Sequence, residues 1–94
     1  MTKMFGYECE FNPLHGGKQY IFKFQNGFGA SVVQHQFSYG GDKGLWELGV
    51  LDSDGRLTYD TGITNDVIGH LSENEVQEVL NQIRKLPSES VLVE

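Results

Sequence analysis

The sequence predicts an α+β fold: an antiparallel β-meander of four to five strands packed on one C-terminal α-helix. Three observations lead there. Short segments alternate apolar and polar residues with a period of two, the mark of half-buried strands. Two Xaa-Gly pairs, Asn26-Gly27 and Asp54-Gly55, stand between such segments as hairpin signals. One capped helical stripe, residues 72–86, follows them. Composition agrees: one alanine stands against eight valines, four isoleucines and eleven aromatics, with twelve glycines. Branched and aromatic side chains suit a pleated surface, and glycine supplies turns.

Taken in order, Phe5, Tyr7, Cys9 and Phe11 alternate with Gly6, Glu8 and Glu10, giving a first strand. Cys9 on its apolar side reads as a small buried hydrophobe. Asn12-Pro13-Leu14-His15-Gly16-Gly17 breaks the pattern with turn residues. Tyr20, Phe22 and Phe24 form the next stripe. A two-residue Asn26-Gly27 loop then pairs Gln25 with Phe28, Phe24 with Gly29, Phe22 with Ser31 and Tyr20 with Val33. A three-residue loop would slip this register by one and exchange the faces. Tyr39 to Gly44 is a glycine-rich break. Leu45 to Leu51 is a strand with Trp46, Leu48 and Val50 on one face, and a two-residue Asp54-Gly55 loop pairs Val50 with Tyr59 and Leu48 with Thr61. Residues 62–70 have no regular pattern.

The helix is announced by Ser72 as N-cap and Glu75 three residues on, a capping box. Leu71 and Val76 form a hydrophobic staple, and Val76, Val79, Leu80 and Ile83 lie on one helical face. Arg84 and Lys85 sit where the helix dipole favours cations, and Pro87 ends the helix. Residues 88–94 form a tail whose Val91-Leu92-Val93 would add an edge strand. The expected core is Phe22, Phe24, Trp46, Leu48, Val50, Tyr59, Val76, Val79, Leu80 and Ile83. In the two-residue register Ile21, Phe28 and Val32 fall on the opposite sheet face, a surface through which a structural protein would oligomerise, for example as a homodimer.

At 94 residues the chain is expected to form a single domain, residues 1–94. It has no apolar run approaching the roughly 20 residues of a membrane span. With no hydrophobic leader at its start and a single cysteine, it is expected in a reducing cytoplasm. It carries 7 basic and 13 acidic residues, a net charge of -6. The first 44 residues hold four basic and three acidic side chains; the remaining 50 hold three and ten. Nucleic acid is a poor ligand for such a second half, whereas a protein with a basic surface suits it.

Motifs for chemistry are weak. His15, His35 and His70 have no metal-ligand spacing. Asp52-Ser53-Asp54-Gly55 resembles part of a calcium loop, but Val50 and Thr61 stand where acids are required. The glycine clusters at 27–29 and 40–44 lack the spacing of phosphate loops. No metal, cofactor or catalytic residue is assigned, and the chain is read as a non-enzyme. Glu73, Glu75 and Glu78 serve the start of the helix. The residues assigned to a partner-binding acidic face are Asp42, Glu47, Asp52, Asp54, Asp60 and Asp66. If the second hairpin tip packs near the helix N-terminus, one end of the molecule becomes strongly negative and imitates a phosphate backbone.

The stretch from Phe28 to Leu86, and within it YGGDKGLWELGVLDSDGRLTYDTGITNDVIGHLSENEV, resembles in overall texture small acidic proteins encoded by bacteriophages and prophages. The resemblance implies an accessory role in the host cytoplasm, such as inhibition of a nucleic-acid-handling or defence protein in the manner of anti-CRISPR proteins.

Overall fold

The computed structural model describes residues 2–58, 61–63 and 67–87. Six strands, β1 (Thr2–Met4), β2 (Tyr7–Leu14), β3 (Gly17–Lys23), β4 (Gly29–Gln34), β5 (Trp46–Leu51) and β6 (Ile68–Leu71), precede helix α1 (Glu73–Arg84). They form one antiparallel meander in which spatial order equals chain order. The α+β class matches the expectation; the described residues hold six strands rather than four to five.

The extra strands have local causes. The alternating run from Phe5 is cut by a two-residue loop, Phe5-Gly6, with φ of 54° and 88°. Met4 and Tyr7 pair across it, and the Phe5 ring turns inward to meet Trp46 edge-on at 5.2 Å. Asn12 to Leu14 do not break β2. Pro13 is tolerated because β1 pairs only with Tyr7–Cys9, so no described strand needs the missing N–H. The turn itself is His15-Gly16, at φ of 50° and 76°. Positive φ at both positions is the geometry a two-residue hairpin loop requires. β6 is the other unforeseen strand. It pairs with β5 through Trp46–Leu71 and Leu48–Ile68, with an irregularity between them.

Both Asn-Gly and Asp-Gly make hairpins, but with three-residue loops. Phe24 N–H donates to Phe28 O at 2.8 Å around Gln25-Asn26-Gly27, and Asp52 N–H donates to Arg56 O at 2.8 Å around Ser53-Asp54-Gly55. In each the closing glycine takes positive φ, 94° at Gly27 and 79° at Gly55. The registers slip by one: Phe22 faces Ala30 and Tyr20 faces Val32. Val50 O accepts from Thr58 N–H; Tyr59, its expected partner, lies outside the described residues. The slip exchanges the faces of β4. Phe28 and Val32, expected on the outer face, are 4% and 0% exposed within the core. Of that proposed oligomer surface only Ile21 stays outside, opposite Ser31. The outer face of β2 to β4 there is polar, with Asn12 donating to Gln19 and Gln19 to Ser31.

Helix α1 crosses the inner face over β4, β5 and β6. Val76, Leu80 and Ile83 are fully buried with Phe22, Val32, Leu48 and Val50. Each such side chain contributes roughly 1.5–3 kcal/mol. Phe24 and Val79 are half-buried at the margin. The capping box is present: Glu75 N–H donates to Ser72 Oγ and Ser72 N–H to Glu75 Oε1. The far end of α1 is fastened by Asn26, whose Nδ2 donates to the carbonyls of Ile83 (2.8 Å), Arg84 (3.2 Å) and Leu86 (3.1 Å). Its Oδ1 accepts from Phe28 N–H. Tyr7 joins the same end, donating to Asn81 and accepting from Arg84 Nε.

Among the described residues no helix is long and apolar enough to cross a membrane. Residues 88–94, read as a tail with an edge strand, lie outside the described residues.

Candidate functional site

Helix direction decides where the acidic side chains go. Leu71, directly before the N-cap, pairs with Trp46 at the start of β5. Leu51 at the end of β5 pairs with Gly29, beside the Asn26 loop that holds the helix C-terminus. The 52–56 hairpin therefore lies at the C-terminal end of α1, not near its N-terminus, and the condition for a single acidic pole is not met. Asp42 and Glu47 sit at one end of β5; Asp52 and Asp54 sit at the other. Asp52 Oδ1 is occupied locally, accepting from Asp54 N–H (2.9 Å) and Arg56 N–H (3.0 Å). Asp60 and Asp66 lie outside the described residues.

The end that carries Asp42 and Glu47 holds a feature the sequence reading missed. All three histidines gather there with the two most exposed large hydrophobic side chains among the described residues, Phe37 at 70% and Tyr39 at 61%. His15 comes from the β2–β3 loop, His35, Phe37 and Tyr39 from the β4–β5 loop, and His70 from β6. His15 meets His35 at 5.0 Å and Phe37 at 5.2 Å between ring centroids, both edge-on. Tyr39 stacks on His70 at 6.5 Å and 21°.

The loop that presents these rings is closed by its own hydrogen bonds. Ser38 is buried; its Oγ donates to His35 O and accepts from His35 N–H, both at 3.0 Å. Phe37 N–H donates to His35 Nδ1 at 3.0 Å. A 3-10 turn, Gly41–Lys43, follows, flanked by Gly40 and Gly44 in the left-handed region. Gly41 is required by close approach: a Cβ there would lie 2.0 Å from His35 O. Tyr39 is held at both ends, with its N–H donating to Glu47 Oε1 at 2.9 Å and its O accepting from His70 N–H at 3.2 Å. His70 adopts φ of 58° to make that contact. A non-glycine residue there stores strain that the surrounding contacts must hold.

The exposure of Phe37 and Tyr39 is thus built by structure, not left over from a floppy loop. The ring contacts fall in two groups, His15 with His35 and Phe37, and Tyr39 with His70. This end is negative on balance. Asp42 and Glu47 belong to it, and Glu73 and Glu75 open α1 nearby, against Lys18 and Lys43. Glu75 is held below the usual carboxylate range by the backbone and side-chain hydrogen bonds from Ser72.

In the neutral ring, accepting at Nδ1 puts the His35 proton on Nε2, which then has no lone pair for a metal. Among the described residues no group of three or more His, Cys, Asp or Glu side chains is placed to hold a metal ion. Cys9 is in the core, and burial pushes its thiol up, away from the reactive thiolate. An open groove lined by Glu8, Glu10, Ile21 and Lys23 runs beside it. No buried side-chain polar atom among the described residues is left without a hydrogen-bond partner to anchor a ligand there.

Comparison with known protein families, with curated proteins and with solved structures finds no match for this chain.

The missed patch had one legible signal. Phe37 and Tyr39 lie in a Ser/Gly-rich break with no strand or helix periodicity to bury them. The convergence of three histidines from separate segments is a product of topology and has no signature in their spacing.

Proposed function

We propose that this protein is a non-enzymatic protein-binding module that takes a basic, arginine-bearing segment of a partner on the Phe37/Tyr39 patch. The observation that carries the reading is the two highly exposed rings held in place by hydrogen bonds beside Asp42 and Glu47. An arginine can stack on an aromatic face and reach a carboxylate with the same planar group, and such anchors concentrate binding energy. The negative balance of this end repels nucleic acid and favours a cationic protein surface. The likeness to phage and prophage proteins supports a host partner that itself handles nucleic acid, whose basic groove the module would occupy. The acidic surface so used is Asp42 and Glu47, joined by the helix-start glutamates, rather than all six acids first assigned.

Capture from a lysate of the source cells tests this. A specific partner held by wild type should be lost when Phe37→Ala and Tyr39→Ala are combined. It should weaken with Asp42→Lys and with rising salt, and persist with Asp54→Lys at the opposite end. Retention by the double aromatic variant would refute the reading.

A further inference from the structure

We propose that His35 makes the patch pH-sensitive: protonation breaks the turn that presents Phe37 and releases the bound partner. This rests on the binding role proposed for that surface. The geometry is specific. His35 Nδ1 accepts the Phe37 N–H at 3.0 Å, and only the neutral ring can accept there. A second proton on His35 sets Nδ1–H against N–H, donor facing donor, so the contact opens. The Ser38 hydrogen bonds use only the His35 backbone and remain. The change is therefore local to Phe37 and leaves the fold intact.

The other titratable and charged groups on the elements packed against His35 are His15, Lys18, Asp42, Lys43, Glu47 and, through Tyr39, His70. His15 faces the ring at 5.0 Å and also contacts Phe37. Lys18 and Lys43 oppose the extra charge on His35, and Asp42 and Glu47 favour it. Positive charge on His35 also opposes the cationic segment that this surface is proposed to receive. Loss of the turn and loss of charge complementarity thus act with the same sign: binding is strong at neutral pH and weak in acid. Imidazole is the side chain whose titration falls in that interval.

The test needs no partner, so its outcome is separable from that of the binding proposal. Protection of the Phe37 amide is measured by NMR hydrogen exchange at about pH 8 and about pH 5, which bracket imidazole titration, and corrected for the intrinsic rate at each pH. Wild type should lose protection by about fivefold to tenfold in acid, the equivalent of one net hydrogen bond. His35→Asn supplies a side-chain oxygen that accepts the same N–H but does not titrate, so its Phe37 protection should be pH-independent. His15→Gln should retain the acid loss. An unchanged wild-type protection, or an equal acid loss in His35→Asn, would overturn the proposal.

Discussion

The two ends of helix α1 are finished in opposite ways. At the C-terminal end a hairpin loop turns inward, and Asn26 donates to two helix carbonyls and to that of Leu86 just beyond, while Tyr7 bridges Asn81 and Arg84. At the N-terminal end the helix caps itself through Ser72 and Glu75 and asks nothing of the loops around it. Those loops use their hydrogen bonds on one another and hold Phe37 and Tyr39 out to solvent. One end closes the fold and the other presents a surface. A self-capped helix end leaves neighbouring loops free for function, whereas a helix end capped by a distant side chain commits its loop to stability.

Substitutions should separate the two ends. The largest effect is expected from Asn26→Ala, which leaves a partly buried helix end without its donors. It should cost about 2 kcal/mol and lower Tm by roughly 10 °C, read by thermal and urea unfolding. Asn26→Asp should be no milder, because its carboxylate would face the carbonyls and the negative end of the helix dipole. At the other end Ser72→Ala removes one side of a local cap and should cost about 1 kcal/mol. Acid provides a third probe. Glu75 is depressed by hydrogen bonds to Ser72, so its stabilising effect is present above the unfolded carboxylate pKa. It is lost as pH falls through the lower folded value. Glu75→Gln keeps a capping acceptor and should flatten that part of the stability–pH curve. The smallest stability effect belongs to the paired change Phe37→Ala with Tyr39→Ala, within about 0.5 kcal/mol, because the rings are mostly exposed. A large destabilisation by that pair would show that the patch is part of the fold and would erase the contrast between the ends.

The same contrast explains how much could be read in advance. The capping box, the helical stripe and the Trp46–Leu48–Val50 face are set by neighbours in sequence, and each is present in the structure. The two glycine hairpins were legible as turns but not in register. Asn26 does not take the positive φ of a two-residue loop; its side chain is drawn to carbonyls at the end of the helix and just beyond it, 57 to 60 residues away. That tertiary contact cannot be seen in the dipeptide. The same one-residue slip moved Phe28 and Val32 into the core and removed two of the three residues of the supposed oligomer face. β6 was hidden because Ile68-Gly69-His70-Leu71 does not alternate and is bent by His70. The patch was hidden for a related reason: it is assembled from three segments that only the meander order brings together.

The most direct measurement is an NMR titration of the isotope-labelled protein with a short arginine-rich peptide as the cationic probe. Saturable shift changes should concentrate on residues 35–47 and 69–73 and leave residues 24–29 and 52–56 unmoved. Changes centred on Asp52 and Asp54, or none that saturate, would contradict the assignment of binding to the aromatic and histidine end.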